Sequence, residues 1–581
     1  MITRFSIVTL VFFFISTIFV IQPVSFYVPL PVIGRRKVTI GLMTAPILAI
    51  AILWAAQCIG ATQIRDGIVG TDGIKPYNIL ILFISLAYIA ITLDITGILQ
   101  AAAFWVSNRG GSNGRKLYLY FYLLLTVVSM FVGNDPIILS GTAFLVYYTR
   151  ATGLHADAWL ISEFAAANTA SMVLFVGNPT NVVICEGFLI NNAAFTAYTI
   201  LPFLACSVAC YAALALQFRD QKHVPHKLHA VGKLNVRQVL KDPVGAIFGS
   251  VLLATCLIVV IVLSFFHVDV WKVVLPFAVV KFIFDLSWDH YRYTHDLIPK
   301  QPHEHKAGEP DNTDDDPMAS ELRRAMSMAS GDVENVQTVQ RNQTFASIST
   351  TVPHANAPSK INGEEGSPTS TTSSATVPRQ NNTLQNETNP SESEKPRLFN
   401  TQRSRFDTKY ASLSAHFPTF FTALPRLPFG LIPFAFSQFI LIEGLSHQGW
   451  IDVFAHWLVR ATGRQMFPTI WVIGVLGVIL CNIAGTNIGA TILLTKVVHA
   501  APDFPVNSAR AAAIALAVSS NIGAVSFTFS ASLAGLLWQT ILRQKGIKIK
   551  QQTFAKWNLL PILAMTGVGL GIVCAEMAVL Y

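Results

Sequence analysis

Charge is scarce in this chain. Only 13 % of its 581 residues are charged and 52 % are hydrophobic, with a mean hydropathy of +0.49, whereas about 25 % of an average soluble domain is charged. Apolar stretches of roughly 20 residues, which are long enough to cross a bilayer, recur from residue 5 to residue 580. This composition excludes a large soluble core and predicts a multi-pass integral membrane protein embedded in lipid. We expect the plasma membrane rather than an internal membrane.

Motifs for catalysis and for metal binding are also lacking. The seven cysteines form no CxxC pair and lie at no ligand spacing from histidine, so neither a disulfide scaffold nor a zinc site is predicted. The sequence has no Walker lysine motif, nucleophile elbow or HExxH motif. We therefore predict a protein that is not an enzyme and that needs no metal or cofactor. The net charge of +9 comes from clusters in short loops beside helix ends, a pattern that orients membrane helices rather than binding nucleic acid.

What the chain does contain is polar interruptions inside segments that are otherwise apolar enough to span a bilayer. Two occur in each half, at 133–136 (Gly-Asn-Asp-Pro), 177–181 (Gly-Asn-Pro-Thr-Asn), 485–487 (Gly-Thr-Asn) and 519–521 (Ser-Ser-Asn). Because hydrocarbon offers no water to a broken helix, unwound backbone at that depth survives only inside protein or beside a water-filled cavity. Paired interruptions at matching places indicate the binding site of a secondary transporter.

A matching order of segments predicts an all-α polytopic fold built from two inverted repeats. In the first half, 117–149 enters the membrane and returns to the same side as a re-entrant helical hairpin, because both of its ends are basic, and 157–187 follows as a broken transmembrane helix. In the second half, 468–499 and 509–542 repeat this order. The positive-inside rule places the first hairpin on the cytoplasmic side and the second on the outside. Inverted repeats of this kind are usual in alternating-access carriers.

The composition divides the chain into three parts. Residues 1–288 form the first transmembrane repeat, and 417–581 form the remainder of a second repeat that begins near residue 244. Residues 289–416 are instead rich in Ser, Thr, Asn, Pro and charge. Such a composition cannot bury enough apolar surface to offset the loss of chain entropy on folding, so this segment is predicted to be a disordered cytoplasmic linker.

Side chains with amide and hydroxyl groups at the interruptions are the candidates for substrate binding. They can hydrogen-bond an oxygen-rich solute or cap the ends of the broken helices, and both roles remain open, while half-helix N-termini favour anions. The predicted substrate-binding residues are Asn134, Asn168, Thr169, Asn178, Thr180, Asn181, Thr486, Asn487, Ser520 and Asn521. The glycines predicted to let the backbone break are Gly133, Gly177, Gly485 and Gly523.

Asp135 is the candidate site for a coupling ion. An ionised carboxylate is costly at membrane depth unless it is paired, hydrated or protonated, so such a residue is a functional candidate by default. We expect Asp135 to bind a proton or a sodium ion while the neutral second tip contacts substrate. Asp94 and Glu443 occupy equivalent places in the two halves and are further candidates, with a structural role as paired acids equally open.

Three stretches of the chain carry a resemblance to a known group of proteins. They are Phe131-Val-Gly-Asn-Asp-Pro136, Ala167-Asn-Thr-Ala-Ser171 leading to Gly177-Asn-Pro-Thr-Asn181, and Ser520-Asn-Ile-Gly523 followed by Thr528, Ser532-Leu-Ala534 and Trp538. At these stretches the chain resembles the ion transporter superfamily that contains arsenite-efflux membrane proteins and citrate-transporter-like, divalent-anion carriers. The resemblance covers about 78–218 and 428–580. It implies two inverted repeats, each with a re-entrant hairpin and an unwound helix, that meet at a central site.

The expected function is therefore secondary active transport of a small anion or oxyacid, coupled to protons or sodium. Arsenite-type efflux and transport of a citrate-like organic anion are both open, and a sodium/proton antiporter of the same superfamily is the alternative. A channel is a different class; Asn178-Pro179-Thr180 is similar to the asparagine-proline caps of water channels, but only one half has this motif and the chain is too long for such a channel. The expected partners are the transported ion, the coupling ion and lipid, and a homodimer is one open expectation.

Overall fold

The computed structural model describes residues 2–30, 34–228, 234–266, 268–298 and 400–581. Over these residues the chain is almost entirely helical, and nine helical segments are long and apolar enough to cross a bilayer. Many large apolar side chains on these segments are exposed, as expected where helices face lipid. These features confirm the predicted all-α polytopic membrane protein.

The first half contains helices of very different lengths. They are α1 (Arg4–Ile21), α2 (Thr44–Ala55), α3 (Ala61–Val69), α4 (Pro76–Ile95), α5 (Ile98–Gly110), α6 (Gly114–Val132), α7 (Asn134–Ala151), α8 (Ala156–Ala170), α9 (Pro179–Gly187), α10 (Asn192–Gln217) and α11 (Val236–Val239). Between α1 and α2 lies an antiparallel pair of strands, β1 (Val24–Leu30) and β2 (Gly34–Ile40), in which Val24 is opposite Ile40.

The second half begins with two long helices, α12 (Pro243–Leu263) and α13 (Val270–Thr294). The helices that follow residue 399 are α14 (Asn400–His416), α15 (Pro418–Ala423), α16 (Leu431–His447), α17 (Trp450–Thr462), α18 (Met466–Ile483), α19 (Asn487–His499), α20 (Val506–Val525), α21 (Leu533–Gln544) and α22 (Gln551–Leu580).

Both described ends of the predicted linker are helical. Helix α13 continues through the predicted boundary at 289, and α14 covers the 17 residues before the second boundary. Asp289 is fully buried and accepts hydrogen bonds from the backbone N–H (2.8 Å) and the hydroxyl (2.9 Å) of Thr419. Packed structure therefore extends past 289. Residues 299–399 lie outside the described residues, so the predicted disorder of that part stays a prediction.

The order of elements recurs after the midpoint of the chain. Helices α6 and α7 form a hairpin broken at Gly133, and α18 and α19 form one broken at Gly485, with φ values of 88° and 86° that cost glycine little. Each hairpin is followed by a crossing with a short 3-10 turn inside it, Phe175–Gly177 between α8 and α9 and Phe529–Ala531 between α20 and α21. The recurrence supports two repeats, and their opposite orientation in the membrane remains a prediction.

Helices α18 and α20 approach each other closely through small residues. A Cβ atom added to Gly477 of α18 would lie 2.1 Å from the Ser519 hydroxyl oxygen of α20, and one added to Gly523 of α20 would lie 2.6 Å from the Cys481 sulfur of α18. Small residues let membrane helices pack tightly where lipid supplies no hydrophobic driving force between them. This contact holds the first arm of the second hairpin against the second broken crossing.

Replacing Gly477 with alanine should weaken this contact, because the added methyl group must displace Ser519. Overpacking of this kind costs about 1–3 kcal/mol, so we expect G477A, purified in detergent, to unfold at a lower temperature than the unsubstituted protein in a thermal-shift assay. Gly571 of α22 provides the control, since no neighbouring atom lies within 4 Å of a Cβ added there. G571A should match or slightly exceed the unsubstituted protein. Equal melting temperatures for the two variants would contradict the close packing.

Candidate functional site

The centre of the candidate site is a cluster of buried amides that joins the two halves of the chain. Asn521 of α20 donates to Asn181 Oδ1 (2.8 Å), and its own Oδ1 accepts from Asn178 Nδ2 (3.2 Å) and from the Ser171 hydroxyl (3.0 Å). Each of the four side chains is at most 4 % exposed. Ser171 and Asn178 flank the unwound stretch between α8 and α9. A side chain of the second half therefore hydrogen-bonds to residues on both sides of the first break.

Asn181 also satisfies backbone groups at this break. Its Nδ2 donates to the carbonyl oxygens of Ser171 (2.8 Å) and Leu174 (2.9 Å), which lie beyond the end of α8. Thr180, one position earlier, accepts a long hydrogen bond from the Ser520 hydroxyl at 3.5 Å. Away from water, a carbonyl released by a broken helix has to be satisfied by the protein itself. Asn181 does this from the first turn of α9.

The tip of the first hairpin reaches the same region. Asn134 Nδ2 donates to Asn168 Oδ1 (3.2 Å), and a Cβ added to Gly133 would lie 3.6 Å from the carbonyl oxygen of Gly177. Asp135 follows Asn134 at the start of α7, and its side chain is partly exposed. Among the described residues, Asp135 takes part in no ion pair. It is therefore an acid at the hairpin tip that has no basic partner in the described part of the chain.

The tip of the second hairpin is arranged differently. Gly485 faces α1, because a Cβ added to it would lie 3.4 Å from the Thr17 side chain. Thr486 is fully buried and caps α19 by accepting the Gly489 N–H at 3.3 Å. Asn487 is buried as well. These contacts favour the capping role for Thr486 and place the N-terminal helix beside the tip.

The second break depends on a residue that the sequence analysis missed. Asn482, near the end of α18, accepts hydrogen bonds from the backbone N–H groups of Phe527 (2.9 Å) and Thr528 (3.2 Å). Like Asn181 at the first break, Asn482 satisfies backbone groups that the break releases. Asn482 accepts hydrogen bonds from N–H groups, whereas Asn181 donates to carbonyl groups. The available signal was an amide side chain in an otherwise apolar helix, three residues before Gly485.

The second break also lies later in the chain than predicted. The prediction places it at 519–521 and assigns Gly523 to it, but α20 continues to Val525 and Gly523 packs inside this helix against α18. The chain instead unwinds at Ser526, which has a left-handed φ of 55°. Asn558 of α22 donates to the Ser526 carbonyl oxygen at 3.1 Å. Gly523 is therefore a packing residue, and Asn521 is a helical residue that faces the first half.

Three other predicted residues make their contacts elsewhere. The Thr169 hydroxyl contacts a methionine sulfur of α22 at 3.3 Å. Asp94, which is buried, lies 3.6 Å from an Arg426 nitrogen, and Glu443 Oε2 lies 2.9 Å from Lys496 Nζ. Both acids thus have basic partners, which matches the paired role left open by the sequence. Their role in binding a coupling ion stays a prediction.

Two protein-family models match the chain in separate regions. A model described as "Citrate transporter" matches residues 5–292, and one described as "Arsenical pump membrane protein" matches residues 419–574. The segment between them contains most of the predicted linker.

Individual relatives match shorter parts of the chain, and one of them carries the second of these descriptions. The chain is 28 % identical over 210 residues to the "Arsenical pump membrane protein" of Escherichia coli (strain K12), which covers 36 % of this chain and 48 % of the relative. It is 25 % identical over 170 residues to the "46 kDa membrane protein" of Mycobacterium leprae (strain TN), covering 29 % and 39 %. The chain thus spans about half the length of the first of these relatives.

One solved structure is also similar to the chain. The crystal structure of the Alcanivorax borkumensis YdaH transporter is 10 % identical, with a TM-score of 0.35, and the match covers 100 % of this chain and 99 % of that one.

Replacing Asn521 with alanine should leave several buried polar groups of the first half without a partner. A buried donor or acceptor that loses its hydrogen bond costs about 1–3 kcal/mol, so N521A should unfold at a clearly lower temperature in detergent. Asn108 is the control, because its amide makes two hydrogen bonds to the backbone of Leu234 (2.9 Å each) at an exposed position where water can replace them. A melting temperature for N521A equal to or above that of N108A would contradict the bridging role of Asn521.

Proposed function

Because the chain belongs to the ion transporter superfamily of citrate transporters and arsenical pump membrane proteins, we propose that it is a secondary active carrier of a small anion or oxyacid. Protons or sodium ions drive the transport. The observation that carries the proposal is the hydrogen-bonded contact of Asn521 with Asn181 and Asn178, since it joins broken crossings of the two halves inside the membrane-embedded region.

The chemistry of the site suits an anion. Each interruption leaves a new helix beginning inside the protein, namely α7, α9, α19 and α21. Helix N-termini present unpaired N–H groups and a fractional positive charge, which favour anions. The amides and hydroxyls around them add hydrogen-bond donors without a fixed positive charge, so a bound anion is held and can also leave. Arsenite-type and citrate-like substrates both fit this description.

The residues proposed to contact substrate lie around the first break. Asn134 and Asn168 supply amides from the hairpin tip and α8, and Asn181 and Asn521 supply them from α9 and α20. Asp135, beside Asn134 and without a basic partner in the described residues, is the proposed site of the coupling ion. Binding of this ion from one side of the membrane, or its release to that side, would change which side of the membrane the site is open to.

A sodium/proton antiporter remains the second candidate, because an unpaired carboxylate at a hairpin tip also suits cation exchange. The two candidates differ in one observable: only the carrier moves an anion. Location in the plasma membrane, a homodimer, and a tethering role for the linker predicted at 289–416 belong to the same proposal. The linker would be dispensable for basal transport if it acts as a tether.

Transport by the full chain reconstituted in liposomes tests the proposal. We expect concentrative uptake of arsenite or of citrate when a proton or sodium gradient is imposed, and loss of that gradient-driven uptake in D135N, because asparagine cannot bind a proton or replace the carboxylate charge. Anion exchange without a gradient should persist in D135N. Asp452 of α17 is the control, since it is exposed, and D452N should transport normally. Gradient-driven cation exchange with no anion movement would favour the antiporter, and coupling unchanged in D135N would exclude Asp135 as the ion site.

A further inference from the structure

Glu163 is a buried acid that the transport proposal leaves unused. It lies in the middle of α8, is 0 % exposed, and its two carboxyl oxygens are 2.9 and 3.0 Å from the Thr142 hydroxyl of α7. A single hydroxyl can donate to one of these oxygens at a time. The carboxyl group is therefore held between the returning arm of the first hairpin and the first broken crossing.

The returning arm of the hairpin is shaped to admit this carboxyl group. A Cβ added to Gly141 would lie 2.8 Å from Glu163 Oε1, so a larger residue at 141 would displace the carboxyl group from this position. On the other side, the fully buried indole of Trp538 in α21 lies within reach of the carboxyl group. Among the described residues, the Trp538 N–H lies near this carboxyl group but donates no close hydrogen bond to it. Glu163 thus touches the first hairpin and the segment that follows the second break.

Nothing in the described part of the chain balances a negative charge at Glu163. The groups that face it are Thr142 and Trp538, and both are neutral. Apart from charged residues, the titratable groups on the helices packed on α8 are tyrosines and cysteines, namely Tyr118, Tyr120, Tyr122, Tyr147, Tyr148, Tyr198, Cys206, Cys210, Tyr211 and Cys574. Their charged residues lie toward helix ends and form no ion pair with Glu163 in the described residues: Arg115, Lys116, Asp135, Arg150, Arg510, Arg543, Lys556 and Glu576.

The fold itself does not require an acid at this place. The corresponding part of α20 in the second half, residues 511–518, contains only alanine, isoleucine, leucine and valine, all of them buried. An ionised carboxylate in such surroundings is strongly disfavoured unless it is paired or protonated. Only the first half therefore carries a buried acid whose ionised form is energetically unfavourable. A functional role explains this residue better than packing does.

We propose that Glu163 binds and releases a proton during the transport cycle. When α7, α8 and α21 are packed as described, the group is a neutral carboxylic acid. When α21 moves away and water enters, the acid gives its proton to water, and the Thr142 hydroxyl of α7 donates to the resulting carboxylate. The carboxylate later takes a proton from water that reaches it in the other conformation, so one proton is moved and no other reactant is needed. The proposal rests on the carrier function argued above.

Infrared difference spectroscopy tests the protonation of Glu163 without a transported substrate. The full-length protein in lipid should show a carbonyl stretching band of a protonated carboxylic acid that is lost as the pH is raised, and this band should be missing in E163Q but present in D135N. In T142V, which removes the hydroxyl donor, the band should disappear at a different pH. A spectrum in which E163Q and T142V both match the unsubstituted protein would overturn the proposal. If E163Q does not fold, T142V alone decides it.

Proton movement during transport provides the second readout. In liposomes containing a pH-sensitive dye, E163Q should move fewer protons per arsenite or citrate ion than the unsubstituted protein, while exchange of the anion without a gradient persists. Asp157, in the first turn of the same helix, gives the matched control D157N, which should keep both activities. A normal proton-to-anion ratio in E163Q would contradict the proposal. If the unsubstituted protein moves neither anion, the carrier function fails, and the infrared result still decides whether Glu163 exchanges a proton.

Discussion

A helix that is broken inside a membrane must find partners for its freed backbone groups within the protein, and the rest of this structure depends on that constraint. At the first break, Asn181 donates to the carbonyl oxygens of Ser171 and Leu174. At the second, Asn482 accepts from the N–H groups of Phe527 and Thr528. The breaks are therefore specified by side chains, and the helix N-termini that they create are held in place beside the amide cluster.

The same residues that satisfy the breaks also form the candidate binding site. The Asn521 amide is already hydrogen-bonded to Asn181, Asn178 and Ser171. An anion that binds here must therefore replace some of these hydrogen bonds with its own. Each such exchange costs little, because a hydrogen bond between neutral groups contributes only about 0.5–1.5 kcal/mol net. Ion pairs are stronger and less easily exchanged, and those of Glu443 and Asp94 join other elements.

The two halves are unequal in one further respect, since only the first carries a buried acid, Glu163, at this level of the bundle.

The features that could be predicted from the sequence are those set by local chemistry. Glycine at positive φ fixes both hairpin tips, and Asn178 before a proline fixes the start of α9. The features that were missed depend on residues distant in sequence. Ser520 and Asn521 look like an interruption but remain helical, because their polar groups bind the first half. The burial of Glu163 depends on α7 and on α21, which lies far away in sequence, so the residues around it did not reveal it. The β1–β2 hairpin follows α1 where the sequence still looks apolar enough to continue a helix.

The central claim is that broken segments of the two halves meet within the membrane, and cross-linking tests it most directly. Cysteines would replace Asn181 and Asn521 in a protein whose seven native cysteines have been changed to serine, with a protease site inserted within 299–399. After treatment of membranes with a short bifunctional thiol reagent and then protease, the account predicts that the two halves stay joined in the double variant and separate in each single variant. Halves that separate in the double variant, although both thiols react with a monofunctional reagent, would contradict the account.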